Sequence, residues 1–185
     1  MAITTINNRA INRADTAASG ESWTATSATA SDFQAVGGAN TPAFKTYMSA
    51  DQTIADNTWT KVNFDTEVFD TNSMYDTGTY RFTPTVAGKY FVYTSLIIES
   101  LTAIKIEYAN VALYKNGSTE LKTTAVYSAD NVSWQAGGVL STVIEFNGSS
   151  DYVESYARVK TFSGSNKIEG GNSSDNVFGA YKIIE

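Results

Sequence analysis

Residues 89–98 read Lys89-Tyr-Phe-Val-Tyr-Thr-Ser-Leu-Ile-Ile98, and this run of apolar residues decides the predicted fold. Side chains of a strand alternate between its two faces, yet both faces of this segment are apolar. One face has Tyr90, Val92, Leu96 and Ile98, and the other has Phe91, Tyr93 and Ile97. The segment 176–184 repeats the pattern. An antiparallel sheet usually leaves its outer face to solvent, so this one is covered by a loop or by another copy of the protein, or it is a large exposed apolar patch.

The chain from residue 42 onward is predicted to form short strands separated by turn residues, without an amphipathic helix. The dipeptides Asn116-Gly117 and Asn147-Gly148 each follow an apolar run and are strong hairpin signals. We predict strands near 43–49, 58–64, 79–84, 89–98, 105–115, 120–128, 138–146, 151–160 and 176–184. In 138–146, Val139 and Val143 share a face with Ser141 and Glu145. The intervals between the turn residues fit strands of this length and are typical of an all-β sandwich.

Composition excludes several classes of function. The 185 residues contain no cysteine and no histidine, which excludes disulfides, thiol nucleophiles and sites or triads that need imidazole. The net charge of −6 disfavours binding to a nucleic acid backbone. We expect no cofactor. No stretch of 18 apolar residues predicts a membrane span, and the first residues do not resemble a secretory signal.

The first 41 residues differ in composition from the rest and are predicted to be a separate, low-complexity arm. They consist mainly of Ala, Ser, Thr and Asn, and their only aromatic residues are Trp23 and Phe33. The run from Trp23 to Asp32 has no helical or strand periodicity that would bury a face. We interpret residues 1–41 either as a flexible linker or as an arm that becomes ordered on a partner. Residues 42–185 form the predicted domain.

Six segments of residues 42–185 resemble the complement-one-q globular head, a branch of the tumour necrosis factor-like jelly rolls. They follow one another in the order of that family. The segments are Lys61-Val-Asn-Phe64-Asp65; Tyr75-Asp-Thr-Gly78-Thr-Tyr-Arg-Phe82-Thr-Pro84-Thr-Val-Ala-Gly88-Lys-Tyr90-Phe-Val-Tyr93; Val111-Ala-Leu-Tyr-Lys115-Asn116-Gly117; Gly137-Gly138-Val-Leu140; Asp151-Tyr-Val153; and Val177-Phe-Gly179-Ala-Tyr181. The resemblance implies a ten-stranded antiparallel jelly-roll sandwich that forms a homotrimer and binds ligands without catalysis.

The same resemblance implies a position for the trimer interface. Phe91 and Tyr93 fall where the family places residues on the three-fold axis, and Val177 and Tyr181 fall on the closing strand beside them. Ile97 shares the face of Phe91 and Tyr93 and completes the predicted interface. This agrees with the covered outer face that the alternation of residues 89–98 indicates.

The arm is similar to the beginnings of structural proteins of tailed bacteriophages of marine bacteria. The similar stretches are Thr4-Thr-Ile-Asn-Asn-Arg9-Ala-Ile-Asn-Arg13-Ala-Asp15 and Trp23-Thr-Ala-Thr-Ser-Ala-Thr-Ala-Ser-Asp32-Phe33. This similarity implies a virion-attachment segment in front of a trimeric head, which would be a head fibre, tail fibre or decoration protein. The predicted attachment residues are Ile3, Ile6, Arg9, Ile11, Arg13, Trp23 and Phe33.

Carboxylates are the remaining candidates for catalysis and for metal binding. Asp151, Glu154 and Glu145 are the candidates for a glycosidase pair, but chance pairs are expected among nineteen acidic residues. We therefore predict no enzyme activity and no catalytic residues. Asp65, Glu67, Asp70 and Asp76 surround two turns and offer the oxygen ligands that Ca²⁺ prefers. Because no calcium-loop motif is present, we predict solvated loop acids and no metal site.

The strand 151–159 has one polar and aromatic face, formed by Tyr152, Glu154, Tyr156 and Arg158. This face is either a subunit contact, with Glu154 and Arg158 near one another, or a surface that stacks on sugars. Tyr152, Tyr156 and Arg158 are the candidate ligand contacts. Trp59 and Trp134 are interpreted as core residues or as further glycan contacts.

Two functions of different classes follow from these observations. The first is a bacteriophage virion structural protein, made in the host cytoplasm without export. Its arm binds other proteins of the capsid or tail, and its trimeric head projects to decorate the particle or to contact a host-surface glycan. The second is a free-standing lectin-like binding module that is not associated with a virion. A signal peptide would favour the second function.

Overall fold

The computed structural model describes the backbone of residues 21–25, 31–35, 40–101, 106–127, 133–161, 165–171 and 173–183. The chain divides into two units, one ending at Ala39 and one beginning at Asn40. The described residues form fifteen strands: β1 (Glu21–Ala25), β2 (Ser31–Ala35), β3 (Ala43–Tyr47), β4 (Gln52–Ile54), β5 (Thr60–Lys61), β6 (Thr66–Asp70), β7 (Tyr75–Asp76), β8 (Arg81–Phe82), β9 (Gly88–Ser100), β10 (Ile106–Lys115), β11 (Thr119–Tyr127), β12 (Gln135–Phe146), β13 (Val153–Thr161), β14 (Asn166–Ile168) and β15 (Val177–Lys182). The described segments contain no helix whose length and apolar character would let it span a bilayer.

The first unit contains an antiparallel hairpin of β1 and β2. Its register places Trp23 opposite Phe33. This hairpin differs from the sequence prediction, which found no strand pattern between Trp23 and Asp32. The ladder between two strands is formed by backbone groups, so it does not require the alternation of apolar and polar residues on which the prediction relied.

The second unit is an antiparallel sandwich of two sheets. In sheet I, β9 pairs with β12 along one edge and with β15 and β14 along the other; β15 continues to β3 and β6, and β14 continues to β4. In sheet II the order is β11-β10-β13-β8-β7, with β5 also paired to β13. This architecture confirms the predicted all-β jelly roll.

All nine predicted strands overlap strands of the structure, but the described residues of the second unit form thirteen strands rather than ten. The prediction missed β4, β6, β7 and β14. Three of these have only two or three residues, too few for an alternating pattern to be recognised. The dipeptide Asn147-Gly148 was interpreted incorrectly as a hairpin: it connects β12 of sheet I to β13 of sheet II. Asn116 and Gly117 do form the expected hairpin turn between β10 and β11, with φ of 57° and 67°.

Aromatic rings fill the space between the two sheets. Phe44 is stacked on Phe82 and Tyr75, with ring centroids 4.4 and 4.9 Å apart, and meets Phe178 edge-on at 5.1 Å. A hydrogen bond of 3.0 Å between the hydroxyls of Thr94 and Ser155 joins the sheets within this core. The core therefore fixes the orientation of both outer faces, which are the two candidate functional surfaces.

Candidate functional site

The two apolar faces of β9 have different positions in the fold. Side chains at the even positions from Tyr90 to Ser100 are buried between the sheets, whereas those at the odd positions from Phe91 to Glu99 are half-buried on the outer face of sheet I. The same division holds in β12, where Leu140 and Ile144 are buried in the core. An apolar outer face is therefore present, as the alternation of the sequence predicted.

Strand register assembles this outer face from three strands. Val143 of β12, Phe91 of β9 and Tyr181 of β15 lie in one row across the sheet. The rings of Phe91 and Tyr181 are 5.4 Å apart between centroids, and that of Tyr93 is 6.2 Å from Phe91. Tyr181 is 36% exposed and Val143 is 51% exposed. Large apolar side chains thus remain accessible on one flat surface.

A second row extends the surface along the strands. Val139 of β12, Ser95 of β9 and Val177 of β15 are neighbours in the register, and Gly137 is paired with Ile97. Val139 is 73% exposed, whereas Val177 is only 8% exposed. We define the apolar face by seven residues: Phe91, Tyr93, Ile97, Val139, Val143, Val177 and Tyr181.

Gly179 lies at the centre of the apolar face, opposite Tyr93 in the register. The Tyr93 ring occupies the space that a side chain at position 179 would need. A Cβ atom at position 179 would overlap the Tyr93 phenol and would lie 2.8 Å from the carbonyl oxygen of Phe44. Burial, with a smaller effect of neighbouring Tyr181, raises the pKa of Tyr93 above its ordinary value. The phenol therefore stays neutral at physiological pH on this surface.

The five residues predicted for the trimer interface share one face of the structure, and their contact with a partner subunit stays a prediction. The prediction omitted Val139 and Val143, which are the most exposed members of the face. Their alternation with core residues in 138–146 was a usable signal. The sequence alone does not distinguish this strand face from a solvated one, because Ser141 and Glu145 lie on it.

A network of charged and amide side chains bounds one end of the apolar face. Lys167 contacts Asp51 at 2.7 Å and Glu99 at 3.0 Å, and the Gln135 amide donates to Glu99 at 3.0 Å. The hydrogen bond from Lys167, followed by that from the Gly170 backbone, holds the pKa of Asp51 below its ordinary value. This end of the sheet is therefore polar and ordered.

The outer face of sheet II has a different chemistry, with a buried carboxylate beneath cations and rings. The Glu154 side chain is 2% exposed and contacts Lys61 at 3.1 Å and Arg81 at 2.9 Å through Oε1. The Tyr156 hydroxyl donates to its Oε2 at 3.2 Å. Burial, followed by the charge of Glu154, raises the pKa of Tyr156 to about 12, so this hydroxyl remains a donor.

Three rings lie side by side across the strands of sheet II. Tyr114 is 4.4 Å from Tyr156 and 5.8 Å from Trp59 between ring centroids. Ala112, which is paired with Tyr156 in the register, points to the same outer side and is fully buried. The rings therefore form a continuous half-buried platform.

Arg158 lies at one end of this platform. Its guanidinium donates through Nε and Nη2 to Asn110 Oδ1, at 3.3 and 3.0 Å, and lies 4.9 Å from the Trp59 ring centroid. The guanidinium carbon of Arg81 lies 3.7 Å from the centroid of the Tyr152 ring. We define the aromatic–basic face by seven residues: Trp59, Tyr114, Tyr152, Tyr156, Lys61, Arg81 and Arg158.

The structure places Tyr152, Tyr156 and Arg158 on one outer face, as predicted, but it changes their partners. Glu154 was expected near Arg158; instead it binds Lys61 and Arg81, while Arg158 binds Asn110. Lys61 and Arg81 were missed because strand order alone brings them to β13. Neither tryptophan is a core residue: Trp59 is half-buried on this face, and Trp134 is 56% exposed.

The predicted attachment residues of the arm fall largely outside the described residues. Ile3, Ile6, Arg9, Ile11 and Arg13 all lie there. Only the backbone positions of Trp23 and Phe33 are described, opposite one another in the β1–β2 hairpin. The attachment role of these residues stays a prediction.

The acidic residues considered for calcium or catalysis mostly bind groups of the protein itself. Asp65 accepts from Ser49, Asp70 from the Tyr75 backbone, and Asp76 from Thr79 and the Gly78 backbone. In the part of the chain that the structure describes, no three acidic side chains are grouped so that they could hold a metal ion. Asp151 forms a 2.8 Å ion pair with Lys115.

The family described as the C1q domain matches residues 43–179, which is most of the chain. The chain belongs to the C1q domain family. Domains of this family are non-enzymatic ligand-binding modules and are generally homotrimeric. No curated protein sequence matches the chain.

Solved structures with a similar fold include both branches of the jelly roll. The globular domain of zebrafish complement 1qA protein is 17% identical, with a TM-score of 0.53 over 78% of this chain and 98% of that one. Eiger TNF from S. frugiperda is 11% identical, with a TM-score of 0.57 over 77% and 92%. Murine APRIL is 10% identical, with a TM-score of 0.57 over 76% and 98%. At these identities the likeness concerns the fold of this C1q domain alone.

Proposed function

We propose that this C1q domain protein is a homotrimeric, non-catalytic binding module whose subunits meet through the apolar face of sheet I. The exposure of Val139 and Val143, at 73% and 51%, is the observation that supports this best. These side chains continue into Phe91 and Tyr181 without an intervening charge. A contiguous apolar surface on a small domain is typical of a protein contact.

Another copy of the protein suits this face better than a loop does. The exposed fractions of Val139 and Val143 show that no described loop of the second unit covers them. The polar network of Lys167, Asp51 and Glu99 lies at one end of the face, as charged groups commonly do at the rim of an interface. We propose a trimer rather than another oligomer because domains of this family are generally homotrimeric.

Sedimentation equilibrium of the purified chain tests this proposal. At micromolar concentration we expect a single species of three times the 20.0 kDa subunit mass. A monomer at that concentration would contradict the proposal, because an interface built on this face would then be too weak to assemble the protein.

We further propose that the protein is a bacteriophage virion structural protein, a fibre or decoration protein anchored to the particle by residues 1–41. The support is the similarity of Thr4–Asp15 and Trp23–Phe33 to the arms of such proteins. Three arms of one trimer would bind together, which raises the overall affinity without new contacts. The head would then project from the capsid or tail and contact a host-surface glycan.

Deletion of residues 1–35 tests the assignment of the arm. We expect the deleted protein to fold and to remain trimeric but to be absent from purified particles. Full-length protein expressed in the same way is the control. Normal incorporation of the deleted protein would show that the jelly roll itself attaches to the particle. Absence of the full-length protein from any particle would favour a free-standing lectin-like module.

A further inference from the structure

The aromatic–basic face lies on the opposite side of the sandwich from the apolar face. Trp59 and Tyr156 belong to the outer side of sheet II, whereas Phe91 and Tyr181 belong to the outer side of sheet I. An assembly through sheet I therefore does not bury the aromatic–basic face of each subunit. A trimer presents it three times.

Positive charge is concentrated on this face although the chain has a net charge of −6. Lys61 and Arg81 share the single carboxylate of Glu154, and Arg158 has no carboxylate partner among the described residues. The described side chains at the centre of the face thus carry an excess of positive charge. Further along β13, Lys160 is neutralised by Asp56 at 2.8 Å, with Glu107 also acting on it.

Arg158 is held in one orientation with part of its hydrogen-bonding capacity unused. Nε and Nη2 bind Asn110, and the Trp59 ring lies beside the guanidinium. Its Nη1 has no hydrogen-bond partner among the described residues. A guanidinium oriented in this way suits a carboxylate or sulfate group, which accepts two parallel hydrogen bonds.

The ring platform beside Arg158 adds a second kind of recognition. Trp59, Tyr114 and Tyr156 present half-buried rings, with Trp59 inclined by 65° and Tyr156 by 42° to Tyr114. Sugar rings expose C–H groups that pack on such aromatic surfaces, while their hydroxyls reach polar neighbours such as Lys61. A ligand that satisfies both features has sugar rings and negative charges.

We infer that the aromatic–basic face binds an anionic carbohydrate, a polymer of sugars with carboxylate or sulfate groups. This inference rests on the proposed binding function and names the ligand class of the head. Sugar rings stack on Trp59 and Tyr156, and the anionic group binds Arg158 and Lys61. A nucleic acid strand would also meet rings and cations, and its binding is one of the outcomes that the titration below distinguishes.

Titration of the full-length protein with three polymers tests this inference. Alginate is the anionic polysaccharide, dextran the neutral one, and a single-stranded oligothymidine the other anionic polymer. We expect alginate to bind, dextran and oligothymidine not to bind, and alginate affinity to fall as salt screens the charges. Sedimentation of each sample reports the oligomeric state in parallel.

Two substitutions and one matched control locate the site. Trp59→Ala and Arg158→Gln should each weaken alginate binding by at least about tenfold, which corresponds to 1.4 kcal/mol. Lys160→Gln removes a charge from the same strand, two residues further on, and should change the affinity less than about twofold, since Asp56 already neutralises that charge.

Several results would overturn the inference. Equal binding of dextran and alginate would show that charge is not recognised, and binding of oligothymidine without alginate would assign the face to nucleic acid. An equal effect of Lys160→Gln and Arg158→Gln would indicate unspecific attraction. A protein that is trimeric but binds no alginate refutes the inference and leaves the trimer proposal intact, whereas a monomer refutes the trimer proposal itself.

Discussion

Tyr93 lies directly opposite Gly179 in the register of β9 and β15, and its ring occupies the space that a side chain at position 179 would need. Because position 179 has no side chain, the Tyr93 phenol has room to lie over β15. The backbone carbonyl of Phe44 closes the other side of the same space. Tyr93 therefore fills the centre of the apolar face and leaves no room for a side chain at position 179.

We expect Gly179→Ala to destabilise the protein by about 1–3 kcal/mol, as overpacking commonly does. The added methyl group would overlap Tyr93 and approach the Phe44 backbone, and the backbone has little room to move. Denaturant unfolding at a fixed protein concentration measures the change. Gly137→Ala is the matched control on the same face, because its Cβ would meet nothing nearer than 3.8 Å. Equal stability of both variants would contradict the packing described for Gly179.

Replacement of Val143 by glutamate should separate the subunits without unfolding them. Val143 is 51% exposed in the single subunit, so a charge is tolerated there, but in a dry contact it would lack a partner. Sedimentation should show a monomer with an unchanged far-ultraviolet circular dichroism spectrum. Val86→Glu, at another exposed valine, is the control and should stay trimeric. A trimeric Val143→Glu protein would place the interface elsewhere.

Glu154→Gln should lower stability because Lys61 and Arg81 lose the carboxylate that they share. The loss should be smaller than the about 3–5 kcal/mol typical of a broken buried ion pair, since the two cations are about a third exposed and keep part of their hydration. Thermal unfolding measures it. The exposed Glu145 provides a control, as Glu145→Gln should be close to neutral. A neutral Glu154→Gln would mean that the buried network adds nothing to stability.

Acid should weaken the turn between β12 and β13 through Asp151. Hydrogen bonds from Lys115 and then Asn116 hold the pKa of this carboxyl below its ordinary value of 3.8. A depressed pKa contributes stability that is present above the unfolded-state pKa and is lost as the pH falls through the folded-state value. The wild type should therefore lose more stability than Asp151→Asn between pH 5 and pH 2, by thermal unfolding across this range. Parallel losses in both proteins would exclude the contribution.

The spacing of the turn residues predicted the all-β sandwich, and the alternation of residues 89–98 and 176–184 predicted its apolar outer face. Alternation is a local property of a strand, since neighbouring side chains must point to opposite faces whatever the rest of the chain does. The same reasoning placed Phe91 and Tyr93 on one face of their strand, and Tyr152, Tyr156 and Arg158 on one face of another. The resemblance to the complement-one-q head, rather than alternation, placed Tyr181 beside Phe91 and Tyr93.

The partners of those residues were decided only by the tertiary structure. Glu154 contacts Lys61 and Arg81, which are 93 and 73 residues away in the chain, because β5 and β8 both pair with β13. No local pattern encodes that pairing; it follows from the order of strands around a shared core. The sequence by itself therefore determined which side chains of a strand share a face, whereas the strand order decided which faces turn outward, which strands share a surface and which charges lie beside one another.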